Sequence, residues 1–171
     1  MIKIISGKYK GRKLRQVPDK YVRPTQAVIR KSILQILEPF SNLKVLDLYA
    51  GVGTLGIEAL SRGASSLTMV EKNRLVFRVL KENISMLDAD SVVRLECKDV
   101  NFFLKNEKKT YDVIFADPPY SMANYEELKQ KIENLLNPNG VFCMEMKRKL
   151  INMENVRLKT FGNKQVAIWR R

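Results

Sequence analysis

Apolar residues follow two different spacings along most of the 171-residue chain. From residue 43 onward, short apolar runs alternate with segments whose apolar positions recur at helical spacing. This alternation is typical of a parallel β-sheet with helices on both faces, so it predicts an α/β protein. The predicted strands lie near 44–48, 66–70, 92–96, 112–116 and 141–145, and the predicted helices near 54–62, 73–87, 100–106 and 123–136.

The N-terminal segment has a pattern of its own. Residues 2–17 contain apolar and basic runs around two glycines, which predicts a β-hairpin. Apolar residues then recur at helical spacing over 26–37, which predicts an amphipathic helix with Thr25 as its N-cap. Because the apolar stripe of this helix needs a covering surface, we assign residues 1–40 to a basic extension packed on the main body and residues 41–171 to the main domain.

The last part of the chain predicts a second hairpin. Val156, Leu158 and Phe161 alternate with polar residues, and Gly162 and Asn163 supply a turn before apolar residues return. We expect this antiparallel hairpin to form one edge of the sheet.

The chain has a formal net charge of +13, which favours a polyanionic partner such as nucleic acid. The charge is uneven, because residues 1–44 contain 11 Lys and Arg residues against Asp19 and Glu38 alone. The N-terminal quarter is therefore predicted to be a docking arm. A basic face that contacts only solvent is the alternative.

Cysteine and histidine usage argues against a transition-metal site, because the chain has no His and two isolated cysteines. Cys97 and Cys143 both lie in apolar, strand-like runs, so we expect two buried free thiols in a reducing compartment. No signal peptide or membrane-length apolar run is apparent, which leads us to expect a cytoplasmic protein.

The segment from Val45 to Gly56 predicts a buried strand, a glycine turn and the start of a helix. Gly51 and Gly53 allow the backbone to turn tightly and to approach a ligand. In open α/β sheets, nucleotides bind at such a turn. The spacing of Gly51, Gly53 and Gly56 fits NAD, FAD or S-adenosyl-L-methionine (SAM), and it also fits a purely structural turn.

Acidic residues lie at the ends of four predicted strands: the first strand carries Asp47, and Glu71, Asp99 and Asp117 come after the second, third and fourth. Glu71 is placed to bond both hydroxyls of a ribose, and Asp99 is placed near an adenine amino group. Carboxylates at this edge tolerate the sulfonium cation of SAM and repel a pyrophosphate, which favours SAM over a dinucleotide. The alternative is that each acid is a helix N-cap or a solvated loop end.

The most specific motif is Asp117-Pro118-Pro119-Tyr120, directly after an apolar strand. The two prolines stiffen the loop and leave its carbonyl groups free to accept hydrogen bonds. The Asp117 carboxylate and the Pro118 carbonyl can therefore hold an exocyclic amine on a base, with Tyr120 as a stacking surface. A structural turn after a buried strand is the alternative.

Several segments together resemble the bacterial 16S rRNA guanine-N2 methyltransferases of the RsmD type. These segments are Ile4–Gly7, Gly11–Leu14, Arg23-Pro24-Thr25, Ala50–Ala64 and Asp117–Tyr120. The resemblance implies a Rossmann-like SAM-dependent methyltransferase fold, with a mostly parallel seven-stranded sheet that ends in an antiparallel hairpin. It also implies SAM as cofactor, no metal, and a guanine of 16S rRNA as target, within an assembling 30S subunit and with a monomeric enzyme.

The resemblance also implies roles for individual residues. Asp117, Pro118, Pro119 and Tyr120 are the expected catalytic residues. The expected cofactor-binding residues are Asp47, Tyr49, Ala50, Gly51, Gly53, Glu71, Lys72, Asp99 and Val100. The expected RNA-binding residues are Lys8, Lys10, Arg12 and Lys13 of the basic hairpin, together with Arg23 and Thr25.

Three other functions stay open at this point. A DNA adenine-N6 methyltransferase or a protein-glutamine methyltransferase shares the Pro-Pro-Tyr loop, although 171 residues leave little room for a DNA target-recognition domain. A non-catalytic RNA-binding protein needs the basic arm but not the Asp-Pro-Pro-Tyr loop.

Overall fold

The computed structural model describes residues 2–18, 27–119, 124–149 and 154–171. Its strands are β1 (Ile2–Lys3), β2 (Lys13–Leu14), β3 (Lys44–Leu48), β4 (Ser66–Val70), β5 (Val93–Glu96), β6 (Tyr111–Ala116), β7 (Leu136–Lys147), β8 (Val156–Phe161) and β9 (Lys164–Arg170). Its helices are α1 (Ala27–Leu37), α2 (Thr54–Ser61), α3 (Arg74–Ser85), α4 (Val100–Asn106) and α5 (Tyr125–Ile132), with short 3₁₀ turns at Asp90–Val92 and Glu133–Leu135.

The main sheet has seven strands in the order β5-β4-β3-β6-β7-β9-β8. Strands β3 to β7 are parallel, whereas β9 is antiparallel to β7 and β8 is antiparallel to β9. The predicted seven-stranded sheet with a C-terminal antiparallel hairpin is therefore confirmed. Strands β4 and β5 are added in turn on one side of β3, and β6 and β7 are then added on its other side. The crevice between β3 and β6, at the carboxyl ends of the parallel strands, is thus the switch point where such sheets bind ligands; we call this end of the sheet the carboxyl edge.

Strand β7 is longer than its predicted range of 141–145. Residues 137–140 have the composition of a turn, yet the strand begins at Leu136, which pairs with Tyr111 before the register shifts. The side-chain amide of Asn137 donates to the Asp112 carboxylate at 2.7 Å and holds this irregular stretch against β6. A bulge supported by a side-chain contact explains why local composition missed the start of the strand.

Apolar side chains fill both faces of the sheet. One face packs against α1, α2 and α3 around Phe40 and Phe115, and the other packs against α4 and α5 around Tyr125 and Phe142. Within the part of the chain that the structure describes, no helix is long and apolar enough to cross a membrane.

The prediction of two buried thiols is right for Cys143 and wrong for Cys97. Cys143 lies in central strand β7, whereas Cys97 is exposed. The physical reason is position in the sheet: β5 is an edge strand whose residues are all only half-buried, and Cys97 lies just beyond its end.

The N-terminal hairpin is small and packs on helix α2. Its two short strands pair antiparallel, as predicted, with Ile2 opposite Leu14. The Lys8 amide donates to the Ser61 carbonyl at 2.7 Å, and the Ile5 amide donates to the Glu58 carboxylate at 2.6 Å. The hairpin tip is therefore fixed to the last turn of α2. The predicted N-cap Thr25 lies outside the described residues.

We expect Gly7→Ala to destabilise the protein far more than Gly11→Ala. Both glycines have φ +83°, so each alanine carries a similar backbone strain of about 1–2 kcal/mol. At Gly7 a Cβ would lie 1.8 Å from the Ser61 carbonyl oxygen, whereas at Gly11 it would meet nothing within 4 Å. The melting temperatures of the two variants measure the difference, and equal values would show that the hairpin does not depend on this backbone contact.

Candidate active site at the carboxyl edge

The glycine turn, which we define as residues 49–53, connects β3 to α2. Tyr49, Gly51 and Gly53 all have positive φ, at 59°, 58° and 94°. A Cβ on Gly53 would lie 2.7 Å from Leu80 and 2.9 Å from Ile57, so a larger residue would displace these side chains and would also be strained by the φ of 94°. The predicted turn thus exists, and its shape depends on glycine at positions where a side chain would be strained or blocked.

Hydrogen bonds from neighbouring elements hold the glycine turn. The Ala50 amide donates to the Val70 carbonyl at 2.9 Å, and the Gly51 amide donates to the Glu71 carboxylate at 3.0 Å. Because Val70 and Glu71 are at the end of β4, the turn is tied to the adjacent strand. A loop fixed in this way is preorganised for a ligand, since it loses little further freedom on binding.

Asn83 of α3 is a residue that the sequence pattern did not single out. It is fully buried, and its side-chain amide donates to the Val52 carbonyl at 2.9 Å and to the Arg15 carbonyl at 3.1 Å. Its carbonyl oxygen accepts from the Arg15 amide at 2.8 Å. Asn83 therefore connects the glycine turn to Arg15, which lies just after β2 of the N-terminal hairpin. A polar residue on the apolar stripe formed with Leu80 and Ile84 was the signal available in the sequence.

Asp47 lies under the glycine turn, with a side chain that is 2% exposed. Its carboxylate accepts from the Gly56 amide in the first turn of α2 at 2.9 Å. Burial raises the pKa of Asp47 to about 7; the Gly56 hydrogen bond opposes this shift, and the charges of Asp117 and Glu71 add to it. Glu71 and Asp117 thus both place negative charge near Asp47, and such a cluster suits a positively charged ligand.

Glu71 is buried and accepts two backbone hydrogen bonds. One oxygen accepts from the Gly51 amide, and the other accepts from the Asn73 amide at 2.7 Å. The same carboxylate thus supports the glycine turn and the start of α3. Lys72 beside it is exposed.

Asp99 is the N-cap of α4, where its carboxylate accepts from the Asn101 amide at 2.9 Å. The helix-capping alternative is therefore correct for Asp99, and a role at the cofactor remains compatible with its exposed position after β5. Val100 is buried. Burial raises the pKa of Tyr49, and the negative charges of Asp99 and Glu127 raise it further.

The Asp-Pro-Pro loop lies beside the glycine turn. Strand β6 pairs with β3 so that Ala116 is opposite Leu48, and Asp117 follows at the level where the glycine turn begins. Asp117 is half-buried, Pro118 is buried and Pro119 is exposed. Tyr120 lies outside the described residues. The fold therefore brings Asp47, the glycine turn, Glu71 and Asp117 together, which local sequence patterns cannot establish alone.

The predicted RNA-binding residues lie elsewhere. Lys8 and Lys10 are on the hairpin tip at the last turn of α2, and the Arg12 guanidinium donates to the Met86 carbonyl just after α3 at 2.8 Å. Because α2 begins at the carboxyl edge and runs away from it, the tip is about 10 Å along the helix from that edge. Arg23 and Thr25 are outside the described residues.

No group of three or more His, Cys, Asp or Glu side chains within residues 2–18, 27–119, 124–149 and 154–171 is arranged to hold a metal ion. The buried carboxylates of Asp47 and Glu71 instead suit a cation carried by an organic cofactor. SAM has such a cation, its sulfonium, and the fixed glycine turn offers room for close backbone approach. The residues present therefore fit this cofactor.

The fold and the carboxyl edge define a SAM-dependent methyltransferase. A solved structure of an RNA methyltransferase from Salinibacter ruber, in complex with S-adenosyl-L-homocysteine, has the same fold, with a TM-score of 0.68 at 15% identity over 86% of this chain and 93% of that one. The yhhF structure from Escherichia coli is more similar, with a TM-score of 0.88 at 31% identity over 99% and 97%.

The chain belongs to the family described as conserved hypothetical protein 95, whose model matches residues 2–170. A relative in Buchnera aphidicola, ribosomal RNA small subunit methyltransferase D, is 35% identical over 153 residues, which cover 86% of this chain and 79% of the relative. The resemblance to the RsmD type is therefore confirmed, as are the predicted fold class and the predicted cofactor, SAM.

We expect SAM to bind more tightly as the pH rises from 6 to 7, below the range in which its own α-amino group titrates. A bound cation favours the ionised form of Asp47, so binding lowers its pKa from about 7 and releases a proton. The free protein holds more protons than the complex in this window, and the gain in affinity is at most about tenfold per pH unit. Calorimetry in two buffers of different ionisation enthalpy measures the proton released.

Asp47→Asn is the control for this pH dependence. It keeps an oxygen that can accept from the Gly56 amide and removes the titrating group. The proton release should disappear in this variant. An unchanged release would assign the titration to another group.

Proposed function

We propose that the protein transfers a methyl group from SAM to the exocyclic N2 amine of a guanine in small-subunit (16S) rRNA, by direct in-line attack of the amine. Its relatives in Buchnera aphidicola and Escherichia coli carry the name ribosomal RNA small subunit methyltransferase D. A net charge of +13 supports an RNA partner. The observation that carries the proposal is the pairing of β3 with β6, which puts the Asp117 loop beside the glycine turn.

The cofactor-binding side of the site consists of the ends of β3, β4 and β5. SAM supplies an electrophilic methyl group when it is bound. Glu71 would accept from the ribose hydroxyls with the lone pairs that its two backbone hydrogen bonds leave. Asp47 and the glycine turn would hold the amino acid end, and Asp99 and Val100 would flank the adenine.

The acceptor side of the site is the loop after β6. The Asp117 carboxylate and the Pro118 carbonyl would accept from the two N–H groups of the guanine amine. These two bonds orient the nitrogen toward the methyl group and reduce the delocalisation of its lone pair into the ring. The nitrogen must lose one of its two protons as it gains the methyl group, and the Asp117 carboxylate that accepts from it would pass this proton to solvent. Pro118 cannot donate a competing hydrogen bond, and its buried ring fixes the loop. Tyr120 would stack on the base.

A guanine inside a helix cannot reach this loop. Asp117 directly follows a strand in the middle of the sheet, so the nucleotide must leave its stack and enter the crevice between β3 and β6. Unstacking costs less free energy for a single-stranded or loosely paired target, and an assembling 30S particle would present such a target in a fixed orientation. We propose that the enzyme acts there as a monomer in the cytoplasm.

The proposal is tested on small ribosomal subunits from cells that lack this protein. The purified chain and labelled SAM are incubated with these particles and, in parallel, with protein-free 16S rRNA, duplex DNA and a glutamine-containing peptide. Mass spectrometry of the digested products identifies the methylated group. N2-methylguanosine from rRNA is the expected product.

Other products would replace the proposal with a named alternative. N6-methyladenosine in DNA or methylglutamine in the peptide would assign another amino-group methyltransferase. RNA binding without transfer to any of the four substrates would leave a non-catalytic RNA-binding protein. A preference for the particle over free rRNA would locate part of the recognition surface on ribosomal proteins or on folded rRNA.

A further inference from the structure

The C-terminal residues contain a second concentration of positive charge. Residues 147–171 include eight Lys and Arg residues and a single acid, Glu154, which gives a net charge of +7. The intervening residues 45–146 contain 12 basic and 15 acidic residues, a net charge of −3. The basic character of the protein therefore resides at both ends of the chain and is absent from its middle.

The fold places half of this second charge, four of the eight cations, at the carboxyl edge: Lys147, Arg148, Lys149 and Lys164. Arg170 and Arg171 lie at the opposite end of the sheet, where Arg170 pairs with Val141. Because β9 is antiparallel to β7, the turn between β8 and β9 lies at the same end of the sheet as the end of β7. Ala116 pairs with Met144, so Lys147 lies about 7 Å farther along the strand direction than Asp117. The last residues of β7 thus extend past the Asp-Pro-Pro loop, on the side away from the predicted cofactor residues.

An open cleft of about 980 Å³ lies between the end of β7 and the β8–β9 turn. Three consecutive cations and several polar side chains line it, and we call it the C-terminal cleft. Its lining includes Lys147, Arg148, Lys149, Thr160, Asn163 and Gln165.

The backbone of the C-terminal cleft is held in place. Gln165 is 2% exposed, and its amide group donates to the Lys149 carbonyl at 2.8 Å and accepts from the Lys149 amide at 3.2 Å. The Arg148 amide donates to the Asn163 carbonyl at 3.0 Å. An acid also approaches the cleft: a carboxylate oxygen of Glu126 lies 3.6 Å from the Lys149 ammonium, and such an exposed pair is too weak to occupy that cation permanently.

We infer that the C-terminal cleft binds the phosphates of the RNA nucleotides next to the methylated guanine. This inference rests on the proposed function. In a guanine nucleotide, the base and the sugar lie between the reacting amine and the RNA backbone. Cations a short distance beyond Asp117 would therefore contact phosphates and not the base. Lysine and arginine bind phosphates, and a lining of amides and a hydroxyl adds hydrogen bonds to phosphate and ribose oxygens. The cofactor and the RNA backbone would then occupy opposite sides of the β6 loop.

The test compares R148A/K149A with the matched control K108A/K109A in the full chain. Both variants remove two exposed cations, but Lys108 and Lys109 precede β6 and lie at the opposite end of the sheet. The ligand is the small ribosomal subunit from cells that lack the protein, together with its protein-free 16S rRNA. For R148A/K149A we expect about tenfold weaker binding of the free rRNA and a salt slope smaller by about 1.4, since each single-strand phosphate contact contributes about 0.7. The KM for the particle should rise with kcat unchanged.

Three readouts distinguish a phosphate contact from a general loss of stability or of cofactor binding. SAM affinity and melting temperature should match the wild type, and R148K/K149R should restore the salt slope because either cation neutralises a phosphate. A wild-type salt slope in R148A/K149A, or an equal loss in the control, would overturn the inference. If the wild type methylates a group other than guanine N2, the proposed function fails, whereas the salt slopes still decide the role of the cleft.

Discussion

Asp117→Asn should lower kcat by about a hundredfold to a thousandfold, the usual range for losing one preorganised polar group at a reacting centre. Asparagine keeps the size of the side chain, but it replaces one carboxylate oxygen with an NH₂ group. That group donates hydrogen bonds and cannot accept one from the target amine. Single-turnover methylation of ribosomal particles measures the chemical step. SAM affinity should be close to that of the wild type, because Asp117 follows β6 and the predicted cofactor contacts follow β3, β4 and β5.

Asp88→Asn is the matched control for this variant. Asp88 is exposed after α3 and has φ 53°, a conformation that asparagine adopts readily. The control should retain wild-type turnover. Near-normal kcat in Asp117→Asn would remove this carboxylate from the mechanism, whatever the result for the control.

Glu71→Ala should weaken SAM binding by about tenfold to a hundredfold, the loss expected from one or two hydrogen bonds to a charged group. The variant removes the proposed ribose acceptor and leaves the Gly51 and Asn73 amides without the carboxylate that now accepts from them. The dissociation constant of SAM, measured by calorimetry, reports the first effect, and the melting temperature reports the second.

Glu71→Gln separates the two roles of this residue. Glutamine retains one acceptor for the backbone amides and loses the negative charge, so it should recover part of the stability and little of the SAM affinity. Glu133→Ala, at the opposite end of the sheet, is the control for the loss of one acidic residue. Full SAM affinity in Glu71→Ala would show that the ribose is held elsewhere.

The fold could be predicted from the sequence to a large extent because its signals are local. The strands around Val45 and Val113 are short apolar runs bounded by polar or glycine residues, and α2 and α4 begin and end within a residue of the predicted ranges. Strand β7 departs from its prediction because a bulge held by Asn137 carries turn-like residues into the sheet.

The candidate site was predictable in its residue types and less so in its contacts. Acids at the carboxyl ends of parallel strands must meet at one edge of the sheet, so Asp47, Glu71 and Asp117 could be grouped before their positions were known. The double hydrogen bond of Glu71 to Gly51 and Asn73 joins residues whose proximity depends on the pairing of β3 with β4. No spacing along the chain encodes such a contact.

The position of the basic hairpin was the least predictable feature. Its charge indicated a nucleic-acid contact, but its packing on the last turn of α2 depends on Ser61 and Glu58, more than fifty residues away. Charge in a sequence identifies a class of partner, whereas only the fold shows which end of the sheet that partner can approach.

The bridge formed by Asn83 has a consequence for where the donor-binding turn draws its stability. One buried amide bonds both to Val52 in the glycine turn and to the backbone of Arg15 in the N-terminal extension. A chain shortened to residues 41–171 would therefore leave polar atoms of Asn83 unpaired in the interior, directly against the turn. The extension is thus part of the scaffold of the site, whatever else it contacts.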